Sequence, residues 1–203
     1  MQTIRRILGG ILLVSLCTTL GLLIGEGRWR EAIPLHLCSL SALAALILSV
    51  GPRAPLLDFL WYLGMPGALL ALLFPAPAVS RWQTLLNLSY FSTHALILLL
   101  PAWAICMGER PRAGRTLPMM AALQIIALAA GTANHLLGTD FLFLAAPPAG
   151  TPLEAVFARG YGIYLLFLEA MMLALCCLMD ALCARLFPTP ACRQARGASG
   201  AQA

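Results

Sequence analysis

Apolar residues run along almost the whole chain in stretches of about 20, the length a helix needs to cross a bilayer, and short clusters of Arg, Pro and Gly break them. The breaks define six runs, at residues 7–24, 33–50, 56–74, 82–107, 117–137 and 161–186. The pattern predicts an all-α polytopic membrane bundle of about six transmembrane helices over residues 1–187. The small polar tail, 188–203, is expected to be disordered and cytoplasmic. The first run is long and lacks an A-x-A cleavage site, so it reads as a span and not as a signal peptide. Gly64, Pro66 and Gly67 interrupt the third run and should kink it or free backbone groups. The segment joining the last two runs is too apolar for an aqueous loop and too short to cross, which fits an amphipathic or re-entrant cap.

Composition supports this reading. Of 203 residues, 61% are hydrophobic and 10% charged, against about 25% charged in an ordinary soluble domain. A soluble enzyme with one anchor is excluded. The net charge of +5 arises from 13 Arg and no Lys, scattered in twos and threes, so no nucleic-acid surface is indicated. With six spans, nine of the 13 arginines share a side with both termini. The positive-inside rule then places both termini in the cytoplasm. Seven cysteines lie mostly in apolar runs, and none forms a zinc-type CxxC pair.

Ionisable groups inside a membrane are costly and mark candidate function. All three histidines, His36, His94 and His135, fall within runs, as does Glu169, which would lie about 12 Å deep at 1.5 Å per residue. Gln83, Asn87, Tyr90 and His94 are spaced +4, +3, +4 and form one polar stripe. With Asn134 they suggest a polar cavity in the outer half of the bilayer, the other half contributing only Gln124. Interhelical hydrogen bonding is the competing role for each of them. Cys38 and His36, two residues apart on a helix, would point to nearly opposite sides. No metal-ligand spacing and no cofactor motif occurs.

At these residues the chain resembles the YwaF family of bacterial integral membrane proteins, which is related to the eukaryotic transmembrane protein 164 family. The resemblance covers about residues 31–169. It rests on Pro34-Leu35-His36-Leu37-Cys38, on Gly64, Gly67, Ala68, Leu69, Ala71 and Leu72 followed by Pro75, and on His94 preceded by Phe91. Asn134, Gly138 and Pro147, with Tyr164 and Glu169, complete it. Asp140, Phe141 and Phe143 depart from the Asn, Tyr and Tyr expected there, and His135 is not a family position. The resemblance implies a six-helix protein of the bacterial inner (plasma) membrane. Its eukaryotic relatives are implicated in acyl transfer to phospholipids through a cysteine beside the equivalent of His36. Leu35 occupies that position here, so the thiol mechanism does not carry over by position.

The reading expected is a membrane-embedded, acyltransferase-like enzyme whose partners are membrane lipids and an acyl-bearing substrate. His94 or His36 would be the general base and Glu169 would orient the imidazole. Asn134, Tyr164, Tyr90 and Asn87 would bind substrate. A small solute or proton-coupled transporter and a non-catalytic membrane assembly protein are the alternatives.

Overall fold

The computed structural model describes residues 2–75 and 80–188; the expected disordered tail, apart from residue 188, lies outside them. In chain order the elements are α1 (Gln2–Gly25), α2 (Leu37–Val50) and a broken third span made of α3 (Ala54–Phe59), a π-helical turn (Leu60–Gly64) and α4 (Met65–Leu73). Then come α5 (Gln83–Cys106), α6 (Thr116–Leu137), a 3-10 turn (Phe141–Phe143), α7 (Leu153–Phe157) and α8 (Tyr161–Leu186). Five of these, counting α3 to α4 as one, are long and apolar enough to cross a membrane.

The second run departs from expectation at its start. Pro34 lacks an N–H, His36 is extended (φ −70°, ψ 144°), and the helix begins only at Leu37, leaving 14 residues. That is about 21 Å of helix against a hydrocarbon core of about 30 Å.

The third span is the hub. Leu57 and Leu60 pack with Leu12, Ala45, Leu48, Ile97 and Leu100 in one core, uniting α1, α2 and α5. One turn later Trp61, Tyr62 and Leu63 pack with Met120, Leu123, Cys176 and Cys183 in a second core with α6 and α8. Past the π-helical turn, α4 packs chiefly against α5. The anticipated break at Gly64–Gly67 is this turn: the Met65 N–H reaches back five residues to the Leu60 carbonyl. Pro66 has no N–H to offer the Tyr62 carbonyl, and the Cys176 thiol donates to it instead at 3.8 Å. Gly64 also permits close packing, since a Cβ there would lie 3.2 Å from Ser41 Oγ.

One end of the bundle, the terminal end, carries the start of α1 and the end of α8. The other, the cap end, is covered by the segment between α6 and α8.

Candidate functional site

Three helices, α1, α2 and α5, border a cleft of about 210 Å3. Its lining includes Leu16, Leu23 and Leu86 together with Cys38, Asn87, Tyr90 and His94. Three of the four residues of the polar stripe thus line one opening, and Gln83 does not. His94 is 4% exposed. Its Nδ1 lies 2.7 Å from the Tyr90 carbonyl, which can only accept, so the proton of the neutral ring sits on Nδ1 and Nε2 is the basic nitrogen. The Tyr90 ring lies against the imidazole, with centroids 4.2 Å apart. The Tyr90 hydroxyl donates to the Ala71 carbonyl at 2.7 Å, a group that Pro75 cannot satisfy in α4.

Cys38 is the second residue of α2, near the positive pole of that helix. Because His36 is extended, the helical rule that would turn His36 and Cys38 apart does not govern this pair. Toward the cap end Arg28 also lines the cleft, held by Glu31 at 2.6 Å and Glu26 at 3.4 Å. Ser80 donates to Glu26 at 2.5 Å. That hydrogen bond, reinforced by Arg28 and Arg81 and opposed by burial, holds the Glu26 carboxyl below the usual carboxylate range.

His36, Asn134 and Tyr164 meet elsewhere, under the cap. Gly138 (φ +66°) ends α6 in the left-handed conformation, and Asn134 then secures the turn that follows. Its Oδ1 accepts from the Thr139 hydroxyl and the Phe141 N–H at 3.0 and 2.7 Å, and its Nδ2 donates to the Phe141 carbonyl at 3.0 Å. Tyr164 donates to the Phe143 carbonyl at 2.6 Å. Leu142 and Phe143 both have positive φ, 59° and 55°, a strained pair that these bonds hold in place. The His36 ring sits beside Phe141 and Phe143, at 5.1 and 5.9 Å between centroids. The polar groups of Asn134 and Tyr164 are therefore engaged with cap backbone.

Glu169 occupies a third place. Its carboxylate accepts from Gln124 Nε2 at 2.6 Å, with both side chains exposed, and it does not line the cleft. His135 is exposed at the end of α6. Among the described residues no three His, Cys, Asp or Glu side chains converge as metal ligands would.

A sequence model of the TMEM164 family matches residues 1–180. The chain belongs to that family. No curated protein and no solved structure matches it. With five long apolar helices, this TMEM164-family chain is an all-α integral membrane protein.

Sequence reasoning missed a second polar region of this TMEM164-family bundle, at the terminal end, where only Gln124 was expected to answer the cap-end groups. Asp58 is fully buried, and its carboxylate takes the Arg112 N–H at 2.9 Å and the Arg112 guanidinium at 2.6 Å. Asp180 accepts from the Gly114 N–H at 2.6 Å and from the Tyr62 hydroxyl. Two carboxylates, from α3 and α8, thus hold the segment between α5 and α6. Arg5 joins the same end through Glu109 at 2.8 Å. The arginines that suggested topology were the available signal: Asp58 and Asp180 lie a few residues from Arg53 and Arg185 and read as span borders.

Proposed function

We propose that the cleft between α1, α2 and α5 is a site of acyl transfer on a membrane lipid. The observation that carries this reading is that Cys38, His94 and Arg28, from three separate segments, line one cleft. Ligand pockets for whole small molecules run to about 300–1,000 Å3, so a cleft of about 210 Å3 holds part of an amphiphile. The apolar walls suit the chain, and Arg28 suits an anionic headgroup.

In this reading His94 Nε2 takes the Cys38 proton and the thiolate attacks the acyl carbonyl. A carbon–sulfur bond forms, the ester carbon–oxygen bond breaks, and the imidazolium returns the proton to the leaving oxygen. A second hydroxyl then accepts the acyl group from the thioester and the thiol is regained. The Tyr90 carbonyl orients the imidazole, the part first expected of Glu169.

The same reading takes α2, preceded by residues 33–36, as a sixth crossing. It places both termini on the cytoplasmic side of a bacterial plasma membrane. The contacts joining Arg5 to Glu109 and Asp58 to Arg112 support it, because they unite segments that the six-span alternation assigns to one side.

The test is lipidomics of cells making wild type, Cys38→Ser, His94→Ala or, as a control away from the cleft, His135→Ala, with folded yield measured for each. Wild type and His135→Ala should remodel acyl chains, and the cleft variants should not. Lipids unchanged by wild type, or remodelling that survives Cys38→Ser and His94→Ala, would end the proposal.

A further inference from the structure

We infer that a second copy of this chain covers the outward face of α6 and α8, joined by reciprocal hydrogen bonds between Gln124 and Glu169. The contact is independent of the cleft. Each residue lies eight positions into its helix, about 12 Å along it. The helices run in opposite directions, so the pair sits near mid-depth. Around it the surface is apolar: Ile125, Leu128 and Leu166 are each more than 70% exposed.

An amide and a carboxylate facing hydrocarbon lack the partners water would supply, and such groups in membrane helices face protein or an aqueous cavity. Within one chain the pair is half satisfied. Gln124 has two N–H donors and Glu169 two oxygens, and among the described residues the single bond at 2.6 Å is all they make. A twofold axis beside the pair supplies what is missing. The second Gln124 N–H of each copy donates to the free Glu169 oxygen of the other, the self-complementary pattern of an isologous interface.

The neighbouring surface permits the approach. On α8, Leu166, Ala170, Leu173 and Cys177 are all exposed and spaced +4, +3, +4, with Ala174 beside them. On α6, Ala121 and Ala129 are exposed on either side of Ile125. Small residues near a polar pair are how membrane helices come close enough to bond.

The test is energy transfer between donor-labelled and acceptor-labelled full-length chains in phosphatidylcholine vesicles, read across protein-to-lipid ratios. Wild type should titrate as a dimer. Glu169→Leu and Gln124→Leu should each raise the dissociation constant about tenfold, since two hydrogen bonds are lost. Glu169→Gln keeps an acceptor oxygen and should stay within about threefold of wild type. If Glu169→Leu gives no folded protein, Gln124→Leu carries the same reading, because the contact is reciprocal. A wild type monomeric at every ratio would mean that lipid covers the face, and overturns the inference. Leu variants that dimerise as tightly as wild type overturn it, as does a Glu169→Gln variant as weak as Glu169→Leu.

Discussion

Cys176 on α8 donates its thiol to the Tyr62 carbonyl, an oxygen whose partner four residues later would be Pro66, which has no N–H. The bond ties α8 to the broken third span within the second core. Cys176→Val removes the donor while keeping an apolar side chain and should cost about 1 kcal/mol, the net value of one such bond. Cys176→Ser, which keeps a hydroxyl donor, should cost less. Thermal unfolding of the three proteins in one detergent makes the comparison.

At Gly9, α1 approaches α2 closely. A Cβ there would meet Ser49 Oγ at 2.1 Å and Ser49 Cβ at 2.6 Å, so the helices must separate to admit it. Gly9→Ala should destabilise the protein by about 1–3 kcal/mol. Adding Ser49→Gly should recover most of the loss, and a double-mutant cycle of unfolding measures that recovery.

Removing the Asp58 carboxylate leaves the Arg112 N–H without its acceptor, while the Arg112 side chain, 45% exposed, can still reach water. Asp58→Ala should therefore cost about 1–3 kcal/mol, the range for an orphaned buried donor, and not the larger cost of a stranded buried charge. Protection of the 108–115 amides in hydrogen exchange should fall with it.

The Glu26 carboxyl is held below its usual range chiefly by Ser80, with Arg28 and Arg81 adding to it. A lowered folded value means that its stabilisation is fully present above the unfolded pKa and is lost as pH falls through the folded one. The difference in melting temperature between wild type and Glu26→Gln should be constant from about pH 5.5 to 7.5 and shrink below about pH 4. A difference that grows toward acid pH contradicts the assignment.

The long helices were readable because burying a chain in hydrocarbon demands uninterrupted apolar runs, and α8 occupies the run expected at 161–186. Less readable was the start of α2, where Pro34 and an extended His36 take residues that hydropathy alone assigns to a span. The stripe Asn87, Tyr90, His94 announced a shared face, since spacing on one helix fixes it. Which helix would face that stripe depends on packing between distant segments, so the company of Cys38 and Arg28 was not deducible. For the same reason Asn134 and Tyr164 resembled substrate ligands, although the strained turn they hold lies within a segment whose conformation no periodicity encodes. Asp58 and Asp180 escaped notice because a carboxylate near the edge of a span resembles an ordinary boundary residue.

The imidazole of His94 is aimed by the carbonyl of Tyr90, four residues earlier in the same helix. Every residue type carries that carbonyl, so the hydrogen bond, unlike the packing of the Tyr90 ring on the imidazole, does not depend on which side chain stands at position 90. It resides in the pitch of α5. A histidine steered by a carboxylate loses that hydrogen bond through one point mutation, whereas no side-chain substitution at position 90 removes the acceptor here.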